Sequence, residues 1–167
     1  MKKLSALLFL LIVNSQIISQ ENLLLRHPAI NSDGSVVAFS YQGDIWTAKV
    51  SDGSSVRLTV HEAYESLPRF SNDGKFIAFS GNRFGNNDVF VISSSGGSAK
   101  RITYHSAQDF VSSWIANGNI LFSTNREFNQ IERPLEVYEI SSKGGTEKRV
   151  LNAVGFDPSV SPNGRFT

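Results

Sequence analysis

The feature that most constrains the fold of this chain is an internal repeat, which begins soon after the first residues and continues to the last. A short turn segment that contains Asp-Gly or Asn-Gly occurs four times, at residues 28–34, 68–74, 112–118 and 158–164. An apolar run follows each of these turns, at residues 36–40, 76–80 and 120–123, and the fourth run is cut off at Thr167. The 167 residues could bury one ordinary core, but repetition predicts a series of small similar units instead.

A second set of signals recurs later in each unit. A carboxylate precedes an apolar and an aromatic residue in Asp44-Ile-Trp, Asp88-Val-Phe and Glu136-Val-Tyr. A glycine-containing turn follows, and then an arginine, at Arg57, Arg101 and Arg149. The step from Arg57 to Arg101 is 44 residues and the step from Arg101 to Arg149 is 48 residues, with the extra length placed at residues 127–134.

Each unit is predicted to contain four short strands. In the second unit we expect them at about residues 67–71, 75–81, 88–93 and 99–103. Asp-Gly and Gly-Gly turns between them favour hairpins, so the unit is an antiparallel meander. Because residues 76–79 and 89–92 are apolar at every position, both faces of the sheet must be covered.

Four-stranded meanders that repeat about every 40 to 50 residues and are covered on both faces are typical of propeller blades. The sequence therefore predicts an all-β protein, a β-propeller built of four-stranded antiparallel blades. A β-sandwich or a right-handed β-helix is the alternative, but a sandwich needs no periodic sequence and β-helix repeats are much shorter. We place the blades at residues 27–65, 66–109 and 110–155, with a partial fourth blade at residues 156–167.

Three blades and the start of a fourth are fewer than the roughly four to eight that close a propeller. We therefore expect residues 21–167 to be the N-terminal part of a larger propeller. Expressed alone, this segment is expected to be unstable or to self-associate, because an unpaired hydrophobic edge promotes aggregation. The sequence leaves open whether the protein forms oligomers.

Residues 1–20 resemble an export signal. Lys2 and Lys3 precede a largely apolar stretch at residues 4–13, and polar residues follow it. The stretch is shorter than the about 20 apolar residues that span a bilayer, so we predict a cleaved signal peptide and a periplasmic or secreted protein that meets the membrane only through this signal. A retained anchor that uses Ile17 and Ile18 is the alternative. The chain has no cysteine, which excludes disulfides and thiolate metal sites.

The charge and the histidine content limit which ligands this chain can bind and which reactions it can catalyse. The net charge is +1 and lysines and arginines form no cluster, which argues against nucleic-acid binding. His61 and His105 occupy matching positions in consecutive units, so a role in shaping their loops explains them better than a metal pair or a catalytic base. His27, just before Pro28, is expected to have a local role as well. No Gly-x-Ser-x-Gly segment occurs, and we predict no catalytic residue, no metal and no cofactor.

Arginines supply the remaining candidates. Asp44, Asp88 and Glu136 each precede an arginine by thirteen residues. A hairpin centred on Gly96 would place Arg101 opposite Val91, three positions from Asp88, so we expect an ion pair within one blade to be strained and of little value. An ion pair between one of these arginines and a carboxylate of a neighbouring blade is the alternative.

Arg83 and Arg126 follow the second strands of consecutive units, at the end of the blade that also carries His61 and His105. A peptide carboxylate could meet either arginine there, and solvated loop charges are the alternative. The candidate substrate contacts are therefore Arg83, Arg126, His61 and His105.

Residues 68–80, Asp88-Val-Phe-Val-Ile, Gly96-Gly97 and residues 100–105 resemble the repeats of the propeller group that includes tricorn proteases and the translocation protein TolB. Gly43-Asp-Ile-Trp46, Thr103-Tyr-His105 and the segment from Trp114 through residues 118–126 are more similar to tricorn-type serine peptidases. Asn117 and Ser112 depart from the Asp and Pro usual in these repeats.

In the tricorn family the propeller precedes a second propeller, a PDZ domain and a serine protease domain. The resemblance implies that this chain docks or channels peptides or unfolded polypeptide for an exported serine peptidase, and none of the family's catalytic residues has a matching position here. A non-catalytic envelope propeller of the TolB kind and the propeller of a prolyl-oligopeptidase-like hydrolase are the alternatives.

Overall fold

The computed structural model describes residues 24–127, 135–154 and 158–159, and these contain three four-stranded antiparallel sheets. The first sheet consists of β1 (Arg26–Ile30), β2 (Val36–Tyr41), β3 (Asp44–Lys49) and β4 (Ser55–Arg57). The second consists of β5 (Glu65–Phe70), β6 (Phe76–Gly81), β7 (Asp88–Ser93) and β8 (Lys100–Arg101). The third consists of β9 (Asp109–Trp114), β10 (Asn119–Thr124), β11 (Glu136–Ser141) and β12 (Lys148–Val154). In each sheet the strands pair in chain order, which confirms the predicted meander.

The sheets stack face to face as blades. Side chains of β2, β3, β6 and β7 form one apolar cluster between the first two sheets, made of Ala38, Ile45, Ile77, Phe79, Phe90 and Ile92. A second cluster, which includes Val89, Val91, Trp114 and Ile140, joins the second and third sheets. The first strands of neighbouring sheets also contact each other, as in the inner ring of a propeller. The predicted all-β propeller with incomplete blades is confirmed, and the sheets are called blades 1 to 3 below.

The first strand of each blade carries a bulge at the repeated proline position. The register shifts between Arg26 and Ala29 in β1 and between Ser66 and Arg69 in β5. The residues before the prolines, His27 and Leu67, have φ of 52° and 54°. Proline has no N–H to donate to a ladder, so it is tolerated where the ladder is already interrupted. In blade 3, Ser112 takes the proline position and the same interruption is kept.

The fourth strand is shorter than predicted, because a threonine side chain takes over part of the ladder. In blade 2, β8 covers only Lys100–Arg101, and Ile102 N then donates to Val89 O at 2.7 Å. Val89 N donates to Thr103 Oγ1 at 2.9 Å instead of to a backbone carbonyl. Ile45 N and Thr59 Oγ1 make the same bond at 2.9 Å in blade 1, which explains the recurring threonine two residues after the arginine.

No helix long and apolar enough to cross a membrane occurs in the described part of the chain. The predicted signal peptide, most of the extra length at residues 127–134 and nearly all of the partial fourth blade lie outside the described residues.

Candidate functional site

One end of the blades is rich in buried carboxylates. The first and third strands of a blade begin at this end, and the second and fourth strands finish there. Acidic residues at these strand starts are at most 1% exposed, and they are Asp44, Glu65, Asp88, Asp109 and Glu136. A buried charge is costly unless it is paired and hydrogen-bonded, so the partners of these carboxylates determine what this end of the propeller can do.

Two of the carboxylates pair with the arginine thirteen residues later, which corrects the expectation from the sequence. Asp88 Oδ2 lies 2.8 Å from Arg101 Nη2, and Asp44 makes the same pair with Arg57. Arg101 lies opposite Phe90 in the ladder, one residue from the predicted register, and so shares a face with Asp88. Because one residue of register moves a side chain to the other face, the predicted strain does not arise.

These pairs are not exposed surface pairs, since the carboxylates are buried. Burial raises the pKa of Asp88 above its ordinary value of 3.8, and the nearby charge of Asp109 adds to this effect. The hydrogen bond from Arg101 and its charge oppose it. In blade 3, Arg149 Nη1 lies 2.6 Å from Glu127 Oε2.

Arg83 and Arg126 neutralise two more of the buried carboxylates, Glu65 and Asp109. Arg83 Nε donates to Glu65 Oε1 at 2.7 Å, and Arg126 Nη2 donates to Asp109 Oδ2 at 2.7 Å. The two arginine side chains are only 16% and 9% exposed. The alternative that they are solvated loop charges is therefore wrong. Each guanidinium also lies over aromatic rings, with Arg83 4.8 Å from the centroid of Phe90.

The asparagine before each arginine completes a repeated unit. Asn82 Oδ1 accepts from Tyr64 N at 2.7 Å, and Asn125 Oδ1 accepts from Gln108 N at 3.0 Å. In blades 2 and 3 the asparagine holds the loop that enters the first strand, and the arginine after it pairs with the carboxylate at the start of that strand. The two dipeptides are Asn82-Arg83 and Asn125-Arg126. We call each of these dipeptides an Asn-Arg clamp. Their recurrence at matching positions has a structural explanation.

His61 and His105 shape the same loops, as the sequence predicted. The Nδ1 atom of His61 accepts from Ala63 N at 2.9 Å, and that of His105 accepts from Ala107 N at 3.0 Å. Both residues are exposed. His27 reaches across to the neighbouring strand, with Nδ1 3.4 Å from Ser40 Oγ, so its contact is less local than expected.

Blade 1 lacks the clamp. Gln42-Gly43 is a two-residue turn in which both residues have positive φ, of 51° and 88°, where blade 2 has the six residues 82–87. Leu25 stands at the position that Glu65 and Asp109 occupy in the next blades, so no buried carboxylate needs a partner there. The space left by the missing loop is open.

A cavity of about 590 Å³ occupies this space, and we call it the blade-1 pocket. Its wall includes Leu24, Arg26, Tyr41, His61, Glu62 and Tyr64. Tyr64 is 44% exposed and Leu24 is 65% exposed, so apolar surface faces the opening beside one cationic and one anionic side chain. Of the four candidate contacts, His61 lines the pocket, whereas Arg83, Arg126 and His105 belong to blades 2 and 3.

Residues 22–167 match the family of tricorn protease N-terminal beta propeller domains. The chain is 35% identical over 98 residues to tricorn protease homolog 1 of Streptomyces coelicolor, and the aligned region covers 58% of this chain and 9% of that protein. It is 29% identical over 141 residues to a putative tricorn-like protease N-terminal subunit of Sulfurisphaera tokodaii, covering 81% of this chain and 70% of that one. The crystal structure of the tricorn protease aligns with a TM-score of 0.72 at 23% identity, over 86% of this chain and 15% of that chain.

Proposed function

The chain belongs to the family of tricorn protease N-terminal β-propeller domains, and from this premise we propose that it docks peptides or unfolded polypeptide for an exported serine peptidase. Peptide hydrolysis would take place in another part of the protein, and this propeller would deliver the substrate. The observation that carries the proposal is the blade-1 pocket, which opens where the other described blades place an Asn-Arg clamp.

The pocket has the chemistry that an extended peptide requires. The rings of Tyr41 and Tyr64 offer apolar surface to side chains, while Arg26 and Glu62 can each pair with a charge of opposite sign. β1 begins at the pocket, and among the described strands it pairs with β2 alone. Backbone groups on the other edge of β1 can therefore bond an added strand, a common mode of sequence-tolerant peptide binding.

Export is proposed from residues 1–20, whose basic start and short apolar stretch are those of a cleaved signal. N-terminal sequencing of the protein recovered from the periplasm or the medium should show a mature start between residues 16 and 21. A protein that stays in the membrane with its first residues intact would support the anchor alternative and contradict cleavage.

Peptide docking can be tested by fluorescence anisotropy with a fluorescein-labelled unstructured decapeptide of mixed sequence. Tyr64→Ala should weaken binding about tenfold, which corresponds to about 1.4 kcal/mol. His61→Ala should also weaken binding, whereas His105→Ala should leave the affinity unchanged. The two histidine variants lose the same loop hydrogen bond, so they are matched in structural cost and differ in the pocket. Equal affinities of the His61 and His105 variants, together with wild-type affinity of Tyr64→Ala, would contradict docking at this pocket.

A further inference from the structure

A second cavity lies at the opposite end of the blades, between blades 2 and 3. It has a volume of about 420 Å³, and its wall includes Phe76, Val91, Ile92, Lys100, Ser142 and Lys143. Val91 is 8% exposed and forms part of its apolar surface. Phe76, which is 45% exposed, presents its ring beside it. We call this cavity the interblade cleft.

The charge in the cleft has one sign. The ammonium of Lys100 donates to the backbone carbonyl of Lys143 at 2.6 Å, which brings the two lysines to the same side of the opening. No carboxylate of the described residues lines the cleft, and no ion pair of either lysine occurs among them. The hydroxyl of Ser142 adds a further donor to the wall. An apolar cavity with unneutralised ammonium groups at its rim is complementary to an anion carried on an apolar group.

The repeat provides an internal comparison, which shows that these residues are not needed to stack two blades. Where blade 1 meets blade 2, Val36 stands at the position of Phe76, and Val56 stands at that of Lys100. Ser95 stands at the position of Lys143. Both junctions are closed by apolar clusters of buried residues, so the fold is satisfied without the exposed ring or the two charges. Their presence at one of the two described junctions calls for another explanation.

We propose that the interblade cleft binds the C-terminal residue of a peptide that ends in a large apolar side chain. The side chain packs against Phe76 and Val91, and the terminal carboxylate pairs with the ammonium groups of Lys100 and Lys143. Lys100 is the cross-strand partner of Val91, so charge and apolar surface lie side by side. A C-terminal residue fits this arrangement because its carboxylate and its side chain leave the same Cα. This site is separate from the blade-1 pocket and does not depend on peptide docking there.

The charge requirement can be tested with two fluorescein-labelled tetrapeptides that end in Leu-Phe, one with a free carboxylate and one with a C-terminal amide. The full chain should bind the free acid about tenfold more tightly, and a rise in salt should weaken the acid more than the amide. Dodecanoate should compete weakly or not at all, because it lacks the peptide backbone. Equal binding of acid and amide would overturn the proposal, and so would dodecanoate binding more tightly than the peptide acid.

Two variants and a matched control locate the site. Lys143→Gln should weaken the free acid about fivefold or more and leave the amide unchanged. Lys75→Gln removes an exposed lysine at the same end of the blades, outside the cleft, and should change neither affinity. Phe76→Ser should weaken a peptide ending in Phe but not one ending in Gly. A Lys143→Gln chain that melts like the wild type and still prefers the acid would overturn the proposal.

Discussion

The buried pair between Arg126 and Asp109 offers the sharpest test of how the blade ends are stabilised. We consider Arg126→Met, which keeps an unbranched apolar side chain that can still pack on Phe122 and Tyr138. In the wild type the guanidinium lies 5.2 Å and 5.4 Å from the centroids of these two rings. The substitution therefore removes the charge and its hydrogen bonds and retains much of the packing.

The burial of both partners determines how much folding stability Arg126→Met should remove. Asp109 is fully buried and the side chain of Arg126 is 9% exposed, so little water can screen the carboxylate that is left behind. Removing one partner of a buried pair costs about 3–5 kcal/mol. For a chain of this size that corresponds to a fall in melting temperature of roughly 6–20 °C. Arg126 also lies 3.2 Å from Glu147, which places our expectation toward the larger values.

Urea unfolding followed by circular dichroism measures the effect, with Arg57→Met as the matched control. Arg57 also pairs with a buried carboxylate, but its side chain is 44% exposed, so water can solvate Asp44 when the arginine is removed. We expect the control to cost only about 1 kcal/mol, because the arginine is half-exposed and water can take its place beside Asp44. The double variant Asp109→Asn with Arg126→Met should recover part of the loss, because the buried charge at position 109 is removed together with its partner.

A loss for Arg126→Met no larger than that for Arg57→Met would refute the reasoning, because it would mean that the exposure of the arginine does not set the cost. The same conclusion would follow if the double variant were as unstable as Arg126→Met alone. In that case the buried charge of Asp109 would not be the source of the penalty.

Two titrations test the environments of single groups. Burial raises the pKa of Asp88 above 3.8, so the folded chain holds this proton more tightly than the unfolded chain does. The stability gained below the unfolded pKa is lost as the pH rises through the folded pKa, and Asp88→Asn should remove this dependence from urea titrations run at increasing pH. Burial and the hydrogen bond to Glu127 raise the pKa of Tyr138 from 10.0 to about 12, so phenolate absorbance should show a late tyrosine titration that Tyr138→Phe removes. A Tyr138→Phe titration curve identical in shape to the wild type, apart from amplitude, would contradict the second expectation.

The repeat made the fold predictable because it places turn glycines, apolar runs and loop histidines at matching positions. The third strand of the second unit was predicted at residues 88–93 and found at Asp88–Ser93. Ion pairs within a blade were mispredicted, since a single residue of register decides whether Arg101 faces Asp88. Distances along the chain do not fix that register when the turn around Gly96 is itself uncertain in length.

The pairs made by Arg83 and Arg126 were harder to recognise. Glu65 precedes Arg83 by eighteen residues, but Asp109 precedes Arg126 by seventeen, so a search for one fixed spacing misses the repetition. The usable signal was that both arginines follow an asparagine and that both carboxylates begin a first strand. The blade-1 pocket could not be predicted at all, because it results from residues that blade 1 lacks.

The repeat also separates structural residues from candidates for binding. A polar residue that recurs with the same contacts, as Asn82 and Asn125 do, is accounted for by the stability of each blade. Blade stacking is satisfied at the two described junctions, so a departure from the repeat that exposes apolar surface or leaves charge unpaired there has no structural benefit. The turn at Gln42-Gly43 and the side chains of Lys143 and Phe76 are such departures. Recognition should therefore reside in the differences between blades, and the arginines that looked most suited to bind a ligand are those that the fold already uses.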